Sequence, residues 1–344
     1  VLFTSPTSGL FTFEPERCGG NSRFSPLLEE DDWLINPESL AKTIDSINKE
    51  LELEANVTYK PRVVAFFQEN PHNPLGKIMG QKEANLIKNI AKICRERGVF
   101  LIDDLLYKDL VYDRENTVLP AAHFDDEYQN VISILGLSKS YGLAGLRAGL
   151  VVADEVIIRG LRNIIFQEID SASQLNAVAL KAAFNISDER EKHYRLYFDE
   201  LLDKYSFNLN LIKAAVDGIN TLPETYKQRV RDFIEKNREL QNKDEWLQPL
   251  ERVNFVPGTY PESGFFCLLD FTKYKGRKCK DVVIDSDVAL LEYLFSKYRI
   301  NFITGSAIGW PDKNAIIARV SFSYEPSKIV RVFGYLKKEL KRLE

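Results

Sequence analysis

Over residues 1 to about 155, short runs of apolar, β-branched and aromatic residues alternate with stretches of helical periodicity. Arg62-Val63-Val64-Ala65-Phe66-Phe67 is a compact apolar run that ends in polar residues, as a buried strand does. Gln81 to Gly98 follows, with Ala84, Ile87, Ala91 and Cys94 at helical spacing. It closes on a basic last turn, Arg95-Glu96-Arg97, and a glycine stop at Gly98. Val99-Phe100-Leu101-Ile102 predicts a second buried strand that ends on Asp103-Asp104, Val131-Ile132-Ser133-Ile134-Leu135 a third, and Gly149-Leu150-Val151-Val152 a fourth. Strands buried on both faces and joined through helices predict an α/β domain: a mostly parallel sheet flanked by helices.

From about residue 155 helical patterns dominate as far as about residue 245. The charged stretch from Ser187 to Lys243 reads as solvated helix surface. Beyond Pro257-Gly258 the chain returns to strands: Gly264 to Leu269, Ile300 to Ile303, and Ile316 to Phe322. An amphipathic helix, Asp287 to Tyr298, separates the first two, and a last helix runs from Pro326 to Leu343. This half predicts a smaller α+β domain, with the large domain over 1–190 and the small one over 191–344. A length of 344 residues suits two such domains.

Composition narrows the function classes. The 46 basic and 50 acidic residues nearly balance, which argues against a nucleic-acid binder or a polybasic membrane-surface protein. No apolar run approaches the length of a membrane span. Cys18, Cys94, Cys267 and Cys279 are scattered with no CxxC pair, so neither a zinc site nor a disulfide framework is implied, and a cytoplasmic setting is expected. With three histidines, His72, His123 and His193, no metal chemistry is expected. Val1 to Thr7 reads as a strand entering a turn, with no initiator Met and no signal-peptide layout.

Four segments carry candidate chemistry: Asn73-Pro74-Leu75-Gly76; Asp104-Leu105-Leu106-Tyr107; Ser138-Lys139 with Gly142-Leu143-Ala144-Gly145-Leu146-Arg147; and Arg319-Val320-Ser321-Phe322-Ser323. The first three each follow a predicted buried strand, and ligands of open α/β sheets bind beyond the carboxyl ends of the strands. Singly, each has a plain explanation: a turn, a helix cap, a surface lysine, an ion-pair arginine. Arg319 after an apolar run also fits a buried structural arginine.

Together and in this order, the four segments resemble the class I/II aminotransferases, pyridoxal-phosphate (PLP) enzymes of the aspartate-aminotransferase fold, fold type I. Ser138 to Gly149 is similar to the family's lysine signature, and the resemblance extends from Val1 to the C-terminus, weakest between about 190 and 255. It implies an enzyme that moves an amino group from an amino acid to a 2-oxo acid through a Lys139 Schiff base. Asp104 would pair with the pyridine nitrogen, and Tyr107 and Asn73 would hydrogen-bond the ring hydroxyl oxygen. Arg147 and Ser138 would hold the phosphate, with Gly142 and Gly145 allowing close backbone approach. Arg319 would clamp the substrate carboxylate. A homodimer with sites at its interface is implied as well.

The sequence departs from the family at Gly136, where a Ser is usual, and at Leu75, where Thr is usual. The family's glycine-rich phosphate-binding segment, stacking aromatic residue and entrance arm are not found, so the large domain is expected to lack its N-terminal part. Acidic-substrate members use a second arginine from the partner subunit. Between Phe166 and Leu175 this chain has Glu168 and Asp170 instead, which disfavours aspartate or glutamate as donor and permits a polar or basic side chain. His72 reads as a turn residue, Phe265-Phe266 as core, and Trp310 as a substrate contact or an interface anchor. Two other readings stay open. One is a different PLP reaction, such as that of a decarboxylase, a β/γ-lyase or an oxidase. The other is an inactive homologue acting as a binding module.

Overall fold

The computed structural model describes residues 1–54, 58, 60–125, 128–185, 187–279 and 282–343. The chain forms two units. One comprises Val1–Asn73, Lys77–Phe198 and Glu262–Gly264, and the other Pro74–Gly76, Asp199–Pro261 and Phe265–Glu344.

The first unit is built on a six-stranded sheet of β1 (Leu2–Ser5), β2 (Arg23–Pro26), β3 (Ala65–Glu69), β4 (Phe100–Asp104), β5 (Val131–Gly136) and β6 (Gly149–Val152), in spatial order β2-β1-β3-β4-β5-β6. Every pair is parallel except β5–β6. Its helices are α1 (Glu14–Arg17), α2 (Pro37–Glu52), α3 (Ala84–Glu96), α4 (Glu155–Ile169), α5 (Gln174–Phe184) and the beginning of α6 (Asp188–Asp217). Local chemistry accounts for the elements. Asn36 caps α2 by accepting from Ser39 N at 3.1 Å, Pro37 occupies the first turn, and Leu40, Ile44, Ile47 and Leu51 form the buried stripe. Before α3, Gly80 N donates to Glu83 Oε2 at 2.8 Å. Ile87, Ile90, Ala91 and Cys94 are the buried face of α3, and Gly98, with φ +61°, ends the segment.

The second unit holds the rest of α6, with α7 (Glu224–Lys236), α8 (Lys243–Leu247), α9 (Asp287–Tyr298) and α10 (Pro326–Leu340). Its four-stranded sheet has the order β11-β12-β8-β7, from β7 (Asn254–Phe255), β8 (Phe266–Asp270), β11 (Ile303–Thr304) and β12 (Ile317–Ser321), all antiparallel. A two-stranded ribbon pairs β9 (Lys278–Cys279) with β10 (Val282–Val283). Trp246 is buried and donates its indole N–H to Val330 O at 3.0 Å, tying α8 to α10. Among the described residues, no helix is long and apolar enough to cross a membrane.

The α/β architecture is the one the sequence predicts, with three local differences. β3 begins at Ala65 and runs on to Glu69, so Gln68 and Glu69 lie inside the sheet. The strand expected over Ile300 to Ile303 shrinks to Ile303–Thr304. Expected as a buried strand, β6 instead lies antiparallel at the edge of the sheet, and Gly149, Leu150 and Val151 are exposed. A four-residue apolar run has the same pattern in the centre of a sheet and at its edge. The neighbouring α4 buries none of its residues, and Val156, Ile164, Phe166 and Ile169 are exposed.

Gly80 sits where a side chain has no room: a Cβ there would meet Asn116 Oδ1 at 2.2 Å and the Thr117 carbonyl at 2.7 Å. A Cβ on Gly160, in the exposed α4, meets nothing within 4 Å. Urea denaturation should show Gly80→Ala losing about 1–3 kcal/mol to overpacking. The same measurement should show Gly160→Ala gaining about 0.5–1 kcal/mol from the stiffer unfolded chain and better helix propensity.

Candidate functional site

In the first unit β1, β3, β4 and β5 end at one edge of the sheet, and the loops that follow them carry the polar residues. The register pairs Gln68 with Asp103 and Glu69 with Asp104 across β3 and β4. Gln68 Nε2 donates to Asp103 Oδ1 at 2.9 Å, and Ala121 N donates to Asp103 Oδ2 at 2.8 Å. Burial nonetheless pushes the Asp103 carboxyl up to about 6 against those two donors. Asp104 is 6% exposed, and its Oδ1 accepts from Leu106 N at 3.0 Å. Its pKa is also pushed up to about 6, chiefly by burial and secondarily by the Asp103 charge; the Leu106 hydrogen bond and the Lys139 charge oppose this.

Lys139 lies on the loop after β5. That loop is closed by Gly142 N donating to Lys139 O at 3.3 Å and Leu143 N donating to Leu137 O at 3.1 Å. It is anchored by Leu137 in a small cluster with Ala148 and Ala183. Ser140 is buried, and its carbonyl accepts from Tyr197 Oη at 3.1 Å. From this loop Lys139 Nζ lies 5.5 Å from the centroid of the buried Tyr107 ring. Asn73 and His72, in the turn after β3, are both buried. His72 Nε2 is 3.0 Å from Thr4 Oγ1, and burial pushes its pKa down to about 3, so the ring is neutral.

Asp104, Tyr107 and Lys139 are thus gathered at one end of the sheet, with Asn73 buried in the turn that follows β3. The arrangement combines a buried carboxylate, which a cation would compensate, with an amine able to act as nucleophile or base and a phenol. On the loop beyond, Ser138 is half-buried, and a Cβ on Gly142 (φ +63°) or on Gly145 would meet nothing within 4 Å. Arg147 is exposed, and its Nη1 donates to Ala144 O at 3.0 Å within its own turn. Arg319 belongs to the second unit, on β12, where it pairs with Leu268 and its guanidinium lies 4.9 Å over the buried Phe266 ring.

The sequence profile described as "Aminotransferase class I and II" matches residues 1–331. The chain belongs to the class I and II aminotransferase family. A probable aspartate/prephenate aminotransferase of Aquifex aeolicus is 24% identical over 294 residues, which cover 85% of this chain and 60% of that protein. A histidinol-phosphate aminotransferase of Caldanaerobacter subterraneus is 28% identical over 246 residues, 68% of this chain and 62% of its own. The chain spans 47% to 60% of the length of the first curated relatives it matches. The aspartate aminotransferase of Rhizobium meliloti superposes with a TM-score of 0.72 at 16% identity, over 100% of this chain and 71% of that one, which shows a shared fold.

In this aminotransferase-family chain, one residue of the site escapes the motif reading. Glu69 closes β3 beside Asp104 and is 4% exposed. Its Oε2 accepts from Thr7 Oγ1 at 3.3 Å and from Ser8 N at 3.4 Å. The available signal was a charged residue ending an apolar strand, the same signal that marked Asp103-Asp104.

The raised Asp104 pKa makes a stability prediction. Below the unfolded pKa near 4 the folded and unfolded chains are both protonated there. Between about 4 and about 6 the unfolded chain ionises there while the folded chain keeps its proton, so stability falls across that window and levels off above it. Denaturation of the cofactor-free chain at pH 8 should therefore find Asp104→Asn more stable than wild type by about 1–3 kcal/mol. The gain should vanish below pH 4, and a pH-independent gain would contradict the assignment.

Proposed function

We propose that the protein is a pyridoxal-phosphate-dependent aminotransferase that moves an amino group from an amino acid to a 2-oxo acid. The observation that carries this reading is the buried Asp104 carboxylate at the end of β4, with Lys139 and Tyr107 gathered beside it. Burial disfavours the charged form of Asp104 unless a cation arrives, and a protonated pyridine ring is such a cation. The open cradle at Gly142 and Gly145 leaves room on the lysine loop for an anionic group.

When bound, the cofactor supplies an electron-withdrawing ring that stabilises negative charge developing at the substrate α-carbon. The protein's part is to hold and orient. Asp104 keeps the ring nitrogen protonated. Tyr107 and Asn73 hydrogen-bond the ring hydroxyl oxygen, and Ser138 and Arg147 take the phosphate. The Lys139 amine would hold the cofactor at its aldehyde and would serve as the base for the proton on the substrate α-carbon. Arg319 grips the substrate carboxylate and so fixes which α-carbon bond breaks. We further propose a cytoplasmic homodimer, with 1–190 as the cofactor-binding domain and 191–344 as the small domain. The acidic Glu168 and Asp170 favour a polar or basic amino donor over aspartate or glutamate.

Borohydride reduction of the PLP-loaded protein, followed by peptide mass mapping, should mark Lys139 in wild type and no residue in Lys139→Ala. The variant should lose at least about 100-fold in turnover. With amino acid alone the wild-type protein should stop after one half-reaction, at the aminated cofactor, and resume only when a 2-oxo acid is added. Sustained turnover without the oxo acid would replace this reading with a decarboxylase, lyase or oxidase.

A further inference from the structure

Glu69 and Asp104 form a pair. In a parallel sheet, directly paired residues on neighbouring strands point to the same face, about 4.8 Å apart. The Gln68–Asp103 hydrogen bond fixes the faces: Gln68 and Asp103 occupy one, Glu69 and Asp104 the other. Both members of the second pair are almost fully buried at the carboxyl ends of their strands. The Thr7 hydroxyl and the Ser8 amide donate to a single Glu69 oxygen, which holds the side chain in place from the turn after β1. A second buried acid beside the first raises the cost of ionising either, so an uncharged residue would fill this position with less loss of stability.

We propose that Glu69 is a positioning residue: a second carboxylate that works through Asp104 to keep the cofactor's ring nitrogen protonated. The inference rests on the pyridoxal-phosphate reading of the site. Two adjacent carboxylates repel each other, and a cation docking against Asp104 relieves that repulsion. The ring nitrogen is then held by the charge of two acids, one in contact and one behind it. The other ionisable groups around the pair are Asp103 on the opposite face of β4, Tyr107 after β4, Lys139 after β5, Lys77, a buried cation that lines the same small cavity as Glu69, and His72 after β3, which is neutral. None of them is altered when Glu69 is changed to Gln.

The test loads wild type, Glu69→Gln and Glu69→Asp with PLP labelled with nitrogen-15 in its ring and follows the ring-nitrogen chemical shift against pH. In Glu69→Gln the midpoint of ring deprotonation should fall by about one pH unit or more, and Glu69→Asp, which keeps the charge, should recover most of the loss. A purely structural role would lower the unfolding midpoint of Glu69→Gln and leave the ring nitrogen where it was. An unchanged ring-nitrogen midpoint overturns the inference and leaves the function standing. In parallel, carboxyl-labelled aspartate reports the Asp104 titration in the cofactor-free chain, with Asp104→Asn identifying the signal. That midpoint should fall by about one pH unit in Glu69→Gln as the repulsion is removed. If wild type fails to bind PLP through Lys139, the proposed function falls, and an unmoved Asp104 midpoint then also overturns the pairing. Should Glu69→Gln not fold, Thr7→Val removes one donor to Glu69 and should shift both midpoints in the same direction by a smaller amount.

Discussion

The arrangement of the first unit depends on the in-register parallel pairing of β3 with β4. That pairing carries three carboxylates and an amide into the sheet, and it decides which of them meet. Gln68 satisfies Asp103 on one face, and Glu69 stands beside Asp104 on the other. A slip of one residue would carry Asp104 to the opposite face and present Asp103 to the lysine loop in its place. Two backbone hydrogen bonds and two made by the Asn70 side chain hold the frame. Asn70 N donates to Asp104 O at 2.9 Å, and Leu105 N donates to Ile134 O at 2.9 Å. The Asn70 side chain spans the turn after β3, donating to Met79 O and accepting from Met79 N, each at 2.9 Å. Asn73, Tyr107 and Lys139 are on loops, but those loops leave a sheet end whose register is locked, and Asp104 and Glu69 are the last residues of their strands.

Much of this was legible in the sequence because the strands that carry the site are buried. Their apolar runs are unambiguous, and the residues that end them stand out as polar. Asp104, Tyr107, Asn73 and Lys139 stand out that way as candidates, through short motifs at strand ends. Glu69 does not, because the apolar run before it reads as closing two residues early, at Phe67. Its burial comes from Thr7 and Ser8, more than 60 residues earlier, a long-range fact that no local window contains. The exposure of β6 was hidden for a related reason: Gly-Leu-Val-Val describes a strand without saying which strand lies beyond it. Arg147 was legible as a residue type but not as a conformation. Its backbone has φ +52°, and its guanidinium turns back on its own loop.

Burial of charge alone does not mark a functional group in this protein, because partners compensate it to different degrees. In the second unit Glu339 is 0% exposed, more buried than Asp104. Burial opposes its ionisation, yet Lys297, Tyr293 and Tyr298 donate to it and together hold its pKa down at about 2. It is a finished structural ion, and its partners come from α9 and, with Arg342, from just beyond the end of α10. Asp104 has one backbone donor and a lysine charge against it, and burial wins. A group left in that state costs the folded chain stability at neutral pH. Asp103 carries the same cost, so what distinguishes Asp104 is that cost together with Lys139 and Tyr107 gathered beside it. Glu339 and Asp104 therefore answer differently to the same environment, and the difference separates the architecture of the second unit from the chemistry of the first.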